Sequence, residues 1–318
     1  MDFLLPLILK RTGFAFLTLF TISLLIFVGL EALPGDTAQA ILGQGATEEN
    51  LAALRKEMKL DLPVHTRYVS WLKDISHGDL GNSLSNGRPV SEMIGWRFQN
   101  TLLLAFSAAM VSIPLAIILG LVCALYQNSW LDRILSTSTL SAISFPEFFV
   151  AYILILVFVV QFEMFPSVAL LKPGMGMMEI VNVLVLPCLT LTLVVLAHMM
   201  RMTRATIIGV LSSPYIEMAQ LKGVRKHKII LYHALPNALG PIINVVVMDL
   251  AWLVVGVVVV EVVFVYPGLG QLLVDSVSKR DIPVVQTSGL IFACTYIFLN
   301  LTADVLSIIS NPRLRHPK

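Results

Sequence analysis

The sequence predicts an all-α polytopic membrane protein of about six transmembrane helices with both termini in the cytoplasm. Three observations carry this reading. Of 318 residues, 57% are hydrophobic and 13% charged, whereas soluble domains carry about 25% charged residues. The apolar residues gather into six runs, each long enough to cross a hydrocarbon core of ~30 Å at ~1.5 Å per residue. Lys and Arg, finally, concentrate in the loops of one side, as the positive-inside rule requires of the cytoplasmic face.

The first run, residues 12–30, follows Lys10 and Arg11. A signal peptide is the competing reading, because Ala38-Gln39-Ala40 resembles a cleavage tripeptide. The run is long for such a segment and the tripeptide lies well past its end, so an uncleaved first span is preferred. Residues 34–98 form one long polar loop, expected outside the cell, with turn signals at Pro34-Gly35, His77-Gly78, Gly81-Asn82 and Asn86-Gly87. Within it Thr47 is placed to cap a helix beginning at Glu48 and Glu49, and Leu51, Leu54 and Met58 recur at helical spacing. One or two short amphipathic helices are expected there, not a separate enzymatic domain.

Five further apolar runs cover residues 101–126, 134–162, 181–200, 242–265 and 284–309. Six spans place both termini on one side. That side holds Lys10, Arg11, Arg133, Arg201, Arg204, Lys222, Arg225, Lys226, Lys228, Arg313, Arg315 and Lys318, against Lys172, Lys279 and Arg280 in the short loops opposite, leaving aside the seven in the long 34–98 loop, where the rule weakens. Twelve against three puts both termini, and the polar stretch 201–240, in the cytoplasm. The whole chain, 1–318, reads as a single transmembrane domain. In the outer loop after the fifth run, Tyr266-Pro267-Gly268-Leu269-Gly270 makes a turn, and Leu272, Leu273, Ser276 and Val277 are expected on one face of a short helix.

A net charge of +2 gives no case for nucleic acid. Cys123, Cys188 and Cys294 all lie in apolar runs with no disulfide or metal-ligand spacing, so they read as inert buried thiols and no metal site is expected. The chain contains no nucleotide-binding loop, no zinc-protease motif and no nucleophile elbow. It is therefore expected to be no enzyme and to bind no cofactor, and any ATP that drives it would sit on another subunit.

Ionisable groups within spans are candidates for function by default. Asp249 lies about 10 Å into the fifth run at ~1.5 Å per residue; it is either a pathway-lining group or an interhelical contact. Glu261 and Asp304, near span ends, read as structural. Glu147 follows Pro146 inside the third run, where a kink serves either packing or gating. His198 has no Cys, His or carboxylate three or four residues away and is not read as a metal ligand. Gly120 and Ala124, four apart, allow close helix packing.

The stretch 213–223 is the most informative. Ser213 can cap a helix, Pro214 suits its first position, and Gly223 suits a left-handed stop. Ala219 and Gly223 are expected to share a face that lets another protein approach the backbone, with Glu217 facing elsewhere and available to a polar partner. A basic helical run follows, 224–235, which Pro236 is expected to close. Positive-inside charge near anionic lipid would account for Arg225, Lys226 and Lys228, but not for the short helix before them.

Glu217-Met218-Ala219, with Gly223 four residues beyond Ala219 and Leu235-Pro236 downstream, resembles the cytoplasmic coupling motif of ABC importer permeases. More narrowly, the chain is similar to the B-type permease of the oligopeptide, dipeptide and nickel importers. Leu33-Pro34-Gly35-Asp36, Gly78-Asp79-Leu80-Gly81-Asn82-Ser83, Ser129-Trp130-Leu131-Asp132-Arg133, His233-Ala234-Leu235-Pro236-Asn237-Ala238, Glu261-Val262-Val263-Phe264, Pro267-Gly268-Leu269-Gly270 and Asn311-Pro312-Arg313 occur in matching order. Two stretches depart. Gln220-Leu221 carries less charge than the motif usually does, and the loop around Lys172-Pro173-Gly174-Met175-Gly176 matches no substrate subtype.

The resemblance implies a type I importer permease in a bacterial or archaeal inner membrane, carrying peptides or a related small solute. Its partners would be a second, non-identical permease, two ATPase subunits holding the ATP, and an extracytoplasmic solute-binding protein. Glu217, Ala219, Lys222, Gly223 and Pro236 would couple the spans to the ATPases. Two other readings from the residues remain open beside it: a self-sufficient secondary transporter using Asp249 as a proton site, and an intramembrane hydrolase, for which no motif exists.

Overall fold

The computed structural model describes residues 4–33, 38–39, 47–57, 60–172 and 174–310. Pro34-Gly35, the cleavage-like tripeptide's Ala40, Met58, Pro173 and Asn311-Pro312-Arg313 lie outside the described residues. Among the described residues every element is helical, apart from one isolated antiparallel bridge between Asn82 and Pro89.

In chain order the helices are α1 (Leu4–Glu31), α2 (Glu48–Glu57), α3 (Val64–Ser76), α4 (Val90–Leu125), α5 (Trp130–Ile143), α6 (Glu147–Ile155), α7 (Met177–Leu211) and α8 (Pro214–Leu221). They are followed by α9 (Lys226–Val263), α10 (Leu269–Ser278) and α11 (Ile282–Ser310). Five of them, α1, α4, α7, α9 and α11, are long and apolar enough to cross a membrane. The expected third span is instead two helices. A turn at residues 144–146 separates α5 from α6 at 104°. Pro146 lacks an N–H and drives Phe145 out of the helical region, so the anticipated kink becomes a break. Pro146 then precedes α6 in an extended conformation (ψ 147°), and α6 widens into a π turn over Leu156–Gln161. The internal prolines Pro114, Pro187 and Pro241 do not break α4, α7 or α9, as is common in membrane helices.

The chain separates into two compact units. One comprises the described parts of residues 1–13, 102–266 and 295–318. One buried cluster joins α4, α6, α7 and α9 through Leu104, Ala151, Leu191, Leu253 and Val257, with Phe264 just past the end of α9. Lipid is as apolar as these side chains, so close packing and not water exclusion selects the arrangement. The fit is tightest at Gly120 on α4, where an added Cβ would stand 2.8 Å from the Thr203 Cβ and 3.0 Å from the Met200 carbonyl of α7. Ala124, one turn on, is fully buried, so the small pair does bring α4 against a neighbour.

Polar groups in this unit are mostly partnered. Arg204 on α7 holds Asp132 on α5. Asp304 bonds Arg11 at 2.5 Å, which makes it the structural group expected of a span end. Glu261 and Tyr266 are fully buried, and the Tyr266 N–H donates to the Glu261 carbonyl at 2.8 Å. Burial pushes the Tyr266 phenol above its usual range, and the Glu261 carboxylate adds to the shift.

The other unit comprises the described parts of residues 14–101 and 267–294. Both amphipathic helices expected in the polar loop are present as α2 and α3, and the Thr47 hydroxyl accepts the Asn50 N–H at 3.3 Å as its cap. The loop is shorter than expected, because α4 begins at Val90, directly after Pro89, with Val90 and Ile94 buried. On α3, Tyr68 bonds Ser23 at 2.8 Å and meets the Phe27 ring edge-on at 5.2 Å; Arg67 pairs with Glu31. Asn100 Nδ2 donates to the Pro267 carbonyl at 2.9 Å, and Thr101 Oγ1 accepts the Leu269 N–H at 2.8 Å. These two bonds hold the turn that starts α10. Leu269, Leu272 and Ser276 form the buried face of α10, while Val277 is exposed, one position off the expected stripe. Three- and four-residue steps from Leu269 explain the difference.

Candidate functional site

The polar stretch between α7 and α9 is built from local chain chemistry. Helix α7 ends at Leu211, and Ser213 is extended (φ −81°, ψ 147°) before Pro214 opens α8. The expected side-chain cap is absent: the Ser213 hydroxyl turns back and donates to the Val210 carbonyl. It thus closes the preceding helix instead of the next one. Proline at the first position leaves one fewer orphan donor, which reduces the need for a cap. At the other end Gly223 takes φ +75°. Its N–H donates to the Gln220 carbonyl at 2.9 Å, and the Val224 N–H to that of Ala219 at 3.2 Å. This is the left-handed stop expected from the sequence.

Ile216 of α8 is fully buried with Ile229 and Ala234, and Ala219 and Val224 pack around them. Ala219 therefore belongs to the inner face of α8. It does not form a small-residue docking face with Gly223, which lies beyond the helix end. The outer face carries Tyr215, Met218 and Leu221, the last 76% exposed, with Glu217 and Lys222 beside them. Periodicity already implied this: once Ile216 points inward, Ala219 follows it three residues on and Tyr215, Met218 and Leu221 point away. Arg225, Lys226, His227 and Lys228 are all exposed.

Pro236 does not close the basic run. The helix continues from Lys226 to Val263, with a π turn over Ile229–Ala234 immediately before the proline. The wider turn has already left the ordinary hydrogen-bond ladder, so the missing N–H of Pro236 costs little there. Asn237 Nδ2 donates to the His233 carbonyl at 2.7 Å in the same region.

The two pathway candidates stand apart. Asp249 on α9 is buried, with Oδ1 3.0 Å from His198 Nδ1 on α7 and Oδ2 without a hydrogen-bond partner. Glu147, the first residue of α6, points a buried and unpartnered Oε2 at Gly256, where an added Cβ would lie 3.3 Å away. Gly256 is two turns beyond Asp249 on the same α9 stripe, about 10 Å at ~1.5 Å per residue. The glycine makes room for the carboxylate. Neither the His198–Asp249 pair nor the Asp132–Arg204 pair was legible in the sequence, because each joins residues on different helices. Among the described residues no three His, Cys, Asp or Glu side chains gather as a metal site.

Two family models match. Residues 116–316 match the inner membrane component of binding-protein-dependent transport systems, and residues 4–105 match the N-terminal part of such membrane components. The chain is 37% identical over 309 residues to the glutathione transport system permease protein GsiC of Escherichia coli O6:H1 (strain CFT073), covering 97% of this chain and 98% of that protein. It is 36% identical over the same length and coverage to the proteins of that name from Escherichia coli strain K12 and Salmonella typhi.

Proposed function

Because the chain belongs to the family of inner membrane components of binding-protein-dependent transport systems, we propose that it forms half of an ATP-driven importer's pathway and receives its motion through α8. It is a multi-pass inner membrane permease of an ABC importer, related to glutathione and peptide permeases. The finer assignments that follow are our own reading.

The observation that carries the coupling role is the two-faced build of α8. Ile216 and Ala219 tie the helix to the segment that starts α9, while Tyr215, Met218 and Leu221 stand exposed between Glu217 and Lys222. A rigid helix with an apolar outer stripe and charged rims is the form of a docking knob. The flanking helices α7 and α9 are both long enough to span the membrane, so a push on α8 moves two spans together. The Lys and Arg bias of the short loops, twelve against three with the long polar loop left aside, supports a cytoplasmic side for this knob and both termini, with that loop outside.

A second, non-identical permease supplying the complementary half of the pathway would face this one. Two ATPase subunits would hold ATP and close on the coupling helices; a solute-binding protein would deliver cargo from outside. ATP-bound and ATP-free partners differ in affinity for the two states of the spans, and that difference drives the cycle. The cargo is a small peptide, glutathione among the candidates. Family membership sets aside both the self-sufficient transporter and the hydrolase.

The test is co-purification of the ATPases with the chain in mild detergent. Met218→Asp and Leu221→Asp should abolish it while leaving the folded permease intact by gel filtration. Retention of the ATPases by the doubly substituted chain would refute the role of α8.

A further inference from the structure

Within the chain, the His198–Asp249 pair is asymmetric. Asp249 is 9% exposed at its side chain and His198 is 49% exposed, although the two touch at 3.0 Å. The buried carboxylate therefore fixes the imidazole from behind, and the ring emerges on one side of the α7–α9 pair. On α7, Met199, Met200 and Thr203 are buried, whereas His198 and Arg201 are exposed. Three residues apart, they stand on one stripe, one turn from each other. Arg201 makes no ion pair among the described residues.

His198 stands beside Asp249 within the span and Arg201 one turn nearer the cytoplasmic face, so the stripe lies at the inner end of the span; ionisable side chains in spans face the bundle interior or a water-filled cavity. In a chain that forms one part of a permease, a stripe of this kind is accommodated where it is turned to the pathway. The one carboxylate behind the stripe is engaged by His198, so the charge of Arg201 is left for a ligand. We propose that His198 and Arg201 form a binding element in the pathway wall for the carboxylate of a peptide-class cargo, with Asp249 positioning the imidazole. This rests on the permease reading given above. Arg201 supplies a permanent charge and a planar set of donors suited to a carboxylate. His198 meets Asp249 through Nδ1, 3.0 Å from Oδ1, which leaves Nε2 as the ring nitrogen turned to the cargo. Asp249 acts through His198 and does not touch the ligand. A passing contact of this kind suits a permease, where binding must be weak enough to release.

The experiment uses the complete importer in vesicles: this chain, its second permease, the ATPases and saturating loaded binding protein. The probes are alanyl-alanine, as the free acid and as the C-terminal amide, and glutathione, as the free acid and with both carboxyl groups amidated, with an amino-acetylated form of each as a third arm. The readout is maximal ATP-dependent uptake, so that affinity for the binding protein drops out. Arg201→Gln and His198→Gln should each lower acid uptake relative to amide uptake about tenfold, the worth of one charge-assisted hydrogen bond. Asp249→Asn should shift the ratio in the same direction by less, and Arg201→Lys should restore most of it. An unchanged ratio, or an equal fall for acid and amide, overturns the carboxylate site. Altered discrimination of the acetylated probe instead assigns the site to a cargo ammonium at the free Asp249 Oδ2, and overturns it too. Absence of ATP-dependent uptake by the wild-type importer would sink the peptide-class cargo itself, a failure distinguishable from the others.

Discussion

The guanidinium of Arg204 holds both carboxylate oxygens of Asp132, Nε to Oδ1 at 2.6 Å and Nη2 to Oδ2 at 2.8 Å. Asp132 also accepts the Asn128 N–H at 3.0 Å and the Ser136 hydroxyl at 3.3 Å. The turn before α5, the first turn of α5 and the end of α7 are thereby tied at one carboxylate. This gives the Ser129-Trp130-Leu131-Asp132-Arg133 match a physical content: Ser129 caps α5 by accepting the Asp132 N–H at 3.3 Å, and Asp132 closes the lock.

Breaking the lock from one side leaves a charge buried and unpaired. Arg204→Ala should therefore destabilise the permease by about 3 kcal/mol. Arg204→Lys should lose about half of that, since a point charge cannot reproduce the two parallel bonds. Thermal unfolding of the purified protein in one detergent checks both; equal melting temperatures for the wild type and Arg204→Ala would contradict the lock.

Asp281 plays the corresponding part in the other unit. It is 1% exposed and accepts Ser83 Oγ at 2.5 Å, Ser85 Oγ at 2.9 Å and the Leu84 N–H at 3.0 Å. Asp281→Asn keeps the size and loses the charge-assisted bonds, worth about 1.5–3 kcal/mol each when made to an ion. The loss should be local. Amide exchange at Leu84 and Ser85 is expected to accelerate at least tenfold, with the spans unaffected; unchanged exchange there would count against the anchor.

How far these features could be read from the sequence depended on the range of the interaction. Five of the six apolar runs, Pro214 at the start of α8 and the left-handed Gly223 follow from composition, periodicity and local backbone chemistry, and the structure agrees with each, whereas the third run is broken at residues 144–146. The direction of Ala219 was misread because spacing fixes which residues share a face, not which face is buried; Ile229 and Ala234 decide that. Pro236 was misread as a stop because the π turn preceding it has no sequence signature. Asp132–Arg204, His198–Asp249 and Ser83–Asp281 join residues 72, 51 and 198 positions apart. No single-chain pattern announces such pairings.

Gly120 offers a test of packing within the bundle. A methyl group there would meet the Thr203 Cβ at 2.8 Å and the Met200 backbone carbonyl at 3.0 Å. Gly120→Ala must push α4 from α7 and should cost about 1–3 kcal/mol, the usual penalty of overpacking. Gly209, with nothing within 4 Å of its would-be Cβ, is the control. Gly209→Ala should be neutral or stabilising by up to about 1 kcal/mol, because alanine is the better helix former. A melting temperature that falls for Gly209→Ala and not for Gly120→Ala would reverse this account.

Gly223 separates two reasons for a glycine in the coupling segment. If a partner must approach its backbone, any side chain there blocks transport; if the chain only needs a left-handed turn, the residue's conformational preference decides. Within the chain nothing lies within 4 Å of an added Cβ, while φ is +75°, so the turn is the requirement the structure itself imposes. Alanine in that conformation costs about 1–2 kcal/mol, whereas asparagine visits it readily. Gly223→Asn should then keep α8 ended at Leu221 and retain most ATP-dependent uptake, and Gly223→Ala should lower it severalfold. Gly223→Trp, strained and bulky together, should stop it. Uptake assays on the three variants at equal expression decide the matter. Asparagine as damaging as tryptophan would show that the glycine serves a close approach by the ATPase and not the turn.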